Sequence, residues 1–267
     1  MVYPAPLRVG DTVALVAPSG PCDPARLDAG VRVLKSLGLH CRVTESCHAR
    51  QGFLAGDDAL RARNLHESFA DPRIKAVLAA RGGYGAQRLL PLLDFPLIAR
   101  NPKIFAGYSD ATALHIAFNT RCRLVTFHAP MPAIDFGGDT VDAETLASFR
   151  AALFSTDTRP THAIVGGNLT LVAASLGTPY EICTRNAFLF LEEINEEPYR
   201  IDRLLMQLKL AGKLNDAAGF LFGSFAPHSP QDLAQTFDDI IKPLGKPVIT
   251  GLSSGHCTPN LTIQLGY

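Results

Sequence analysis

The chain has 267 residues, with 25 Lys and Arg against 25 Asp and Glu, 47% hydrophobic and 19% charged residues, and no Trp. A formal net charge of zero argues against a nucleic-acid binder that works through a broad basic face, and against a polybasic membrane anchor. A chain this long and this apolar folds around a sizeable core without disulfide staples, as one large domain or two modest ones.

Strand and helix patterns alternate through the first half. Residues 12–17 (TVALVA) read as a buried parallel strand that stops at the turn cluster Pro18-Ser19-Gly20-Pro21. Leu27, Val31, Leu34 and Leu37 then share one helix face, with Gly38 as its stop. A strand is predicted over 39–44, a helix over 57–69, and a strand over 74–80 that runs into Arg81-Gly82-Gly83-Tyr84-Gly85. A helix follows over 86–93, a strand over 103–108, a helix from 110 to about 121, and a strand over 124–127. This alternation implies right-handed crossovers and an open, mostly parallel sheet of α/β class.

The composition turns polar over 154–162 (FSTDTRPTH), which reads as a linker. Beyond it, strands are predicted over 187–191, 218–223 and 247–251, with helices over 198–212 and 230–242. No internal repeat and no low-complexity tract is visible.

The cysteines Cys22, Cys41, Cys47, Cys122, Cys183 and Cys257 form no C-x-x-C pair, which suits the reduced thiols of a cytoplasmic protein. Cys and His meet only as adjacent pairs, such as Cys47-His48 and His256-Cys257, and no metal site is expected. The first residues lack the apolar region of a secretory signal, and no apolar run approaches the roughly 20 residues that span a bilayer.

Ser109 is the sharpest candidate for chemistry. It stands in Gly107-Tyr108-Ser109-Asp110-Ala111, where an apolar strand ends and a helix begins. A serine in such a turn is pushed into the open, the logic of the nucleophile elbow, although the second Gly of G-x-S-x-G is Ala here. The same serine would also serve as a plain helix N-cap. Arg81 to Gly85 follows another strand, and its glycines allow positive φ and close backbone approach to a ligand. It matches neither dinucleotide nor phosphate-loop spacing; its N–H groups can supply part of an oxyanion hole, or it is a tight turn.

Glu192 closes the strand predicted over 187–191, at the edge where parallel sheets bind ligands. Glu193, Glu196 and Glu197 complete an acidic cluster, and the last two suit the helix start at Pro198. His256 lies past another strand end, in the loop Gly251-Leu252-Ser253-Ser254-Gly255-His256; His128 is its rival by the same argument. Ser109, Glu192 and His256 run in the order Ser, acid, His, as in α/β-hydrolases. A histidine accepts the serine proton, a carboxylate holds the imidazole tautomer, and backbone N–H groups bind the oxyanion.

Several segments together carry a resemblance: VALVAPSGP (13–21), FLAGDDALR (53–61), RGGYG (81–85), GYSD (107–110), GGNL (166–169), LEEINEEPYRIDR (191–203), GSF (223–225) and GLSSGH (251–256). In these the chain resembles the LD-carboxypeptidases, or muramoyltetrapeptide carboxypeptidases, a family of serine peptidases. The resemblance implies a flavodoxin-like N-terminal domain (1–155) with a parallel sheet bearing the nucleophile Ser109. It implies a smaller α/β C-terminal domain (163–267) bearing the acid Glu192, not Glu193, and the base His256. The backbone N–H groups of Gly83 and Asp110 become the oxyanion donors.

The implied reaction removes D-Ala from the L-centre of diaminopimelate in the muropeptide L-Ala-γ-D-Glu-meso-diaminopimelate-D-Ala, during cytoplasmic cell-wall recycling. The implied enzyme is a homodimer that needs no cofactor and binds neither nucleic acid nor membrane. A substrate ending in a free carboxylate wants a cation near its pocket. Arg81 is the candidate, with Tyr84 as a wall; Arg81 would equally serve in a structural ion pair.

Two departures stand out. The family pattern continues with further strands past the last Leu-Gly, whereas this sequence stops at Leu265-Gly266-Tyr267. A sister branch hydrolyses microcin-type peptide-nucleotide toxins, where an aromatic side chain would stack on the base; the absence of Trp favours the muropeptide branch. The rival from another class is a non-catalytic ligand-binding protein on the same sheet, clamping its ligand with residues 81–85.

Overall fold

In the computed structural model, which describes residues 1–155 and 162–266, the first half is a doubly wound α/β unit. β1 (Thr12–Val16), β2 (His40–Val43), β3 (Ile74–Ala79), β4 (Ile104–Gly107) and β5 (Thr126–His128) are all parallel and lie in the spatial order 2-1-3-4-5. That is the flavodoxin-like order, with its topological switch between β1 and β3. Val13 to Val16 are buried, as a sheet covered on both faces requires.

The crossovers are α1 (Pro24–Ser36), α2 (Asp58–Ala70), α3 (Ala86–Leu89), α4 (Phe95–Arg100) and α5 (Thr112–Arg121). Asp23 caps α1 through the Arg26 N–H at 3.0 Å, and Asp57 caps α2 through the Leu60 N–H at 2.7 Å. The helix predicted over 86–93 is cut short. Pro91 tightens its end into a 3₁₀ turn, and α4 follows as a separate helix that the pattern did not reveal. Leu124, predicted as strand, instead bridges to Val2 outside the sheet. One apolar cluster under the sheet holds Phe69, Phe105 and Phe118; the other holds Leu15, Leu27, Phe136 and Phe149. Each such side chain contributes about 1.5–3 kcal/mol of burial.

After α6 (Ala143–Phe154) comes a second sheet of β6 (Ile164–Asn168), β7 (Phe188–Ile194), β8 (Gly219–Ala226) and β9 (Val248–Ile249), all parallel in chain order. The linker predicted over 154–162 falls mainly on 156–161, outside the described residues. Helices α7 (Leu169–Ala174), α8 (Pro198–Leu210), α9 (Lys213–Asp216) and α10 (Ala234–Ile240) accompany this sheet, and Leu169, Leu205, Phe220 and Ile240 share its core. α10 and β9 are shorter than predicted.

β7 does not stop at Leu191. A register shift against β8 between Leu191 and Glu193 lets it continue to Ile194, so Glu192 lies inside the strand and not at its end. The last strand, β10 (Ile263–Leu265), leaves the second sheet and pairs antiparallel with β5, completing six strands in the first. Gly266 then bridges to Ile164 of β6. Among the described residues no helix is long and apolar enough to cross a membrane.

Candidate active site

β4 is buried along its length and delivers the chain into a short 3₁₀ turn, Ser109–Ala111, before α5. Ser109 takes φ +62°, a conformation that costs a residue with a side chain roughly 1–2 kcal/mol. Gly107 has no room for more: a Cβ there would lie 2.8 Å from that of Ala79 and 3.3 Å from that of Ala111. Ala therefore fits at 111, because the crowding is relieved at Gly107. The Ser109 hydroxyl caps neither the turn nor α5, so the N-cap alternative is not what the fold uses. The strained backbone holds a half-buried hydroxyl at the carboxyl edge of the sheet.

His256 Nδ1 and Glu192 Oε2 are 2.7 Å apart. An ionised carboxylate only accepts, so Nδ1 carries the proton and Nε2 is left as the basic nitrogen. Glu192 is fully buried, and burial pushes its carboxyl up while the His256 hydrogen bond draws it down. Burial alone would depress His256, but the hydrogen bond and charge of Glu192, with Glu193 and Asp135 behind, raise it above its ordinary value. Gly255 makes the approach possible: at φ +104°, a Cβ would sit 2.5 Å from Glu192 Oε2.

The imidazole packs edge-on against Tyr108, ring centroids 4.9 Å apart, beside the residue preceding Ser109. No hydrogen bond joins Ser109 Oγ to His256 among the described residues. Glu193, the alternative acid, points elsewhere. It accepts from Asn168 Nδ2 at 2.8 Å, the Thr170 N–H at 2.8 Å and the Thr170 hydroxyl at 2.7 Å. The rival histidine, His128, is fully buried against Phe190 and Tyr108 with neither ring nitrogen paired.

The 81–85 loop lies against the nucleophile. A Cβ on Gly82 would fall 2.9 Å from that of Ser109 and 3.0 Å from its hydroxyl oxygen. Gly83 takes φ +117° and packs on the backbone of Gly20. The Asp110 N–H is in the first turn after Ser109, among the amides that a helix start leaves without an intrahelical acceptor. The Asp110 carboxylate accepts the Ala86 N–H at 2.7 Å and so ties the serine turn to the far end of the loop.

Arg81 spends Nη1 on the Pro21 carbonyl at 2.9 Å and Nε on that of Gly82 at 3.2 Å, so it forms no structural ion pair. Tyr84 is 52% exposed and meets Phe53 edge-on at 5.5 Å.

Four residues escaped the sequence reading. Arg61, 1% exposed, donates to the carbonyls of Pro18 and Gly85 and pairs with Asp58, clamping the loops after β1 and β3 together. A buried arginine in FLAGDDALR was the available signal. Asn260 and Asp135 support the His256 loop, and neither lies in a motif. Thr112 marks the contact between the two sheets: its hydroxyl accepts the Asn168 N–H at 3.0 Å, and a Cβ on Gly167 would lie 2.4 Å from it. Among the described residues no group of three or more His, Cys, Asp or Glu is placed to hold a metal ion.

The chain is similar to known proteins over most of its length. Residues 13–129 match the LD-carboxypeptidase N-terminal domain and residues 162–267 the LD-carboxypeptidase C-terminal domain. The chain is 42% identical to a "Probable murein peptide carboxypeptidase" of Bacillus subtilis (strain 168), over 98% of this chain and 89% of that protein. It is 31% identical to a "Murein tetrapeptide carboxypeptidase" of Pseudomonas aeruginosa, over 93% of this chain and 89% of the relative. Among solved structures, the muramoyltetrapeptide carboxypeptidase from Oxalobacter formigenes superposes with TM-score 0.86 at 32% identity, covering 96% of this chain and 92% of that one. An MccFlike protein from Bacillus anthracis superposes with TM-score 0.92 at 27% identity, covering 99% and 94%.

Proposed function

The chain belongs to the LD-carboxypeptidase family, and from that premise we propose that Ser109, His256 and Glu192 are its catalytic triad. It is a serine-type LD-carboxypeptidase, and its proposed substrate is a muropeptide ending in diaminopimelate-D-Ala. The observation that carries the reading is the 2.7 Å bond from His256 to the buried Glu192, beside a serine held at φ +62°. A ligand-binding module has no use for that pairing.

Ser109 Oγ attacks the L,D-amide carbonyl while His256 Nε2 takes its proton. Glu192 holds the imidazole in the tautomer that leaves Nε2 free and stabilises the imidazolium that forms. The N–H groups of Gly83 and Asp110 face the developing oxyanion, where one such donor is worth about 10²–10³ in rate. Collapse of the tetrahedral adduct breaks the C–N bond, and the imidazolium gives its proton to the leaving amine of D-Ala. Water, activated by the same histidine, then hydrolyses the acyl-enzyme. The nucleophile–base hydrogen bond in such sites commonly tightens only around bound substrate.

We further infer a cytoplasmic homodimer, with the chain dividing near 155–163 into a serine-bearing and a His/Glu-bearing half. The six cysteines form no C-x-x-C pair, which supports the reducing compartment, and the family resemblance supports the dimer. The test is incubation with the tetrapeptide and mass spectrometry for loss of D-Ala, with Ser109→Ala in parallel. Tripeptide from the native chain only is the expected result. No tripeptide from it, or equal amounts from the variant, overturns the reading.

A further inference from the structure

A second feature lies at the carboxyl ends of β1, β2 and β3, at the topological switch of the first sheet. There a cleft of about 630 Å³ is bounded by Gly20 and Pro21 after β1, Arg50 and Phe53 after β2, and Arg81 and Tyr84 after β3. Gly83, the proposed oxyanion donor, also lines it, so it opens directly beside the reacting centre. Open α/β sheets bind ligands in the crevice at this point of their topology.

The chemistry of the lining is specific. Arg50 and Arg81 both line it, and neither pairs with a carboxylate among the described residues. Arg81 bonds only backbone carbonyls through Nε and Nη1, and Arg50 is exposed without an ion-pair partner among the described residues. Elsewhere on this surface arginines do find acids: Arg42 pairs with Asp71, Arg63 with Glu45, Arg88 with Asp58. In the same lining Phe53 and Tyr84 stand edge to face, 65% and 52% exposed, and so contribute little to the core. Two cations beside two aromatic rings suit a carboxylate carried on a short methylene chain.

The cleft is far larger than a terminal alanine, so it fits the acyl side of the substrate better than the leaving residue. With the diaminopimelate carbonyl at Ser109, the next unit back is the γ-linked D-glutamyl residue. It has two methylenes and a free α-carboxylate.

We propose that this cleft is the subsite for that free α-carboxylate, held by Arg50 with Arg81 while Phe53 and Tyr84 flank its methylenes. The proposal rests on the peptidase reading above. It makes Arg50, which carries no motif, a specificity-determining residue: the enzyme would discriminate the free acid from its α-amide.

Binding to Ser109→Ala, measured by calorimetry, separates recognition from turnover. The two ligands are L-Ala-γ-D-Glu-meso-diaminopimelate-D-Ala and the same peptide with the α-carboxyl of its second residue amidated. The acid should bind about tenfold more tightly than the amide, the scale of one charge-assisted hydrogen bond. Adding Arg50→Gln, an exposed change that spares the fold, should narrow that preference severalfold, weakening the acid more than the amide. Tyr84→Ala should weaken both ligands by a similar factor. Equal affinity for acid and amide, or an equal loss of both in Arg50→Gln, overturns the subsite. If the native enzyme still releases D-Ala in that case, the peptidase reading stands. If the native enzyme releases D-Ala from neither peptide, that reading falls and the subsite with it.

Discussion

Asn260 fastens the His256 loop to Asp135. Its Nδ2 donates to Asp135 Oδ1 at 3.0 Å, its Oδ1 accepts the Gly255 N–H at 3.0 Å, and its own N–H donates to the Thr145 hydroxyl at 2.9 Å. Asp135 in turn accepts the Met131 N–H at 2.7 Å, in the segment after β5. The residue next to the proposed base, His256, is thus held through Asn260 by Asp135 and Thr145, which lie on the Ser109 side of the chain. Asn260→Ala should lower the unfolding free energy by about 1–3 kcal/mol, because two buried partners lose their bonds. Asn260→Asp should cost more, since it sets a second carboxylate against Asp135. Urea denaturation of both, beside their rates of D-Ala release, checks the order; a harmless Asn260→Asp would show that the amide donor does not matter.

The conformation of Ser109 separates two inactive variants. Ser109→Ala keeps a Cβ at φ +62°, whereas Ser109→Gly removes the clash that makes this region unfavourable. Neither should release D-Ala. The glycine variant should nonetheless be more stable than the alanine variant, by about 1 kcal/mol, which a pair of thermal melts resolves.

On the proposed triad, the acid limb of the activity profile belongs to His256. The base must be neutral to take the serine proton, and its proton is held above the ordinary 6.5. Activity should therefore fall as pH drops through that raised value. Glu192→Gln removes the charge that raises it and disturbs the tautomer. The acid limb should move to lower pH while the plateau falls at least about a hundredfold. Rates of D-Ala release at graded pH give both numbers, and an unmoved limb would assign the titration to another group.

Two other histidines govern stability in acid. Burial holds His115 down to about 4, with the Gly107 carbonyl 2.9 Å from its Nε2. Burial, with His115 and His256 nearby, holds His128 well below 6.5. Both groups bind protons better when unfolded. Their contribution is complete above the unfolded value near 6.5 and is lost as pH falls from there toward the folded values. His128→Leu should flatten stability across pH 6.5 to 4 and change it little at pH 8, since neither ring nitrogen has a partner to lose. Urea titrations at those pH values decide it.

The parallel strands of the first half were legible because each is an apolar run closed by turn residues, and β1, β3 and β4 lie nearly where the pattern puts them. The turn that carries Ser109, the proposed nucleophile, was legible for the same reason, since a strand-to-helix turn leaves a local mark. β6 was not, because Gly166 and Gly167 dilute its apolar run; their small size serves the approach of Phe190 and Thr112, which no local pattern records. β10 was invisible for a related reason: three residues far along the chain become a strand only because β5 offers an edge. Arg61, Asp135 and Asn260 act through partners 24 to 125 residues away, and spacing along a sequence carries no trace of such contacts.

The route of the last residues has a consequence for folding as well. The segment bearing His256 leaves β9 in one sheet and returns through β10 to the other, with Gly266 stitched back to Ile164. Neither sheet can detach without stripping an edge strand from the first and carrying His256 away from Ser109. On the proposed triad, catalytic competence and global cooperativity are therefore one property. Amide hydrogen exchange at Gln264, Leu265 and Gly255 should follow a single opening event, and loss of activity in denaturant should coincide with it.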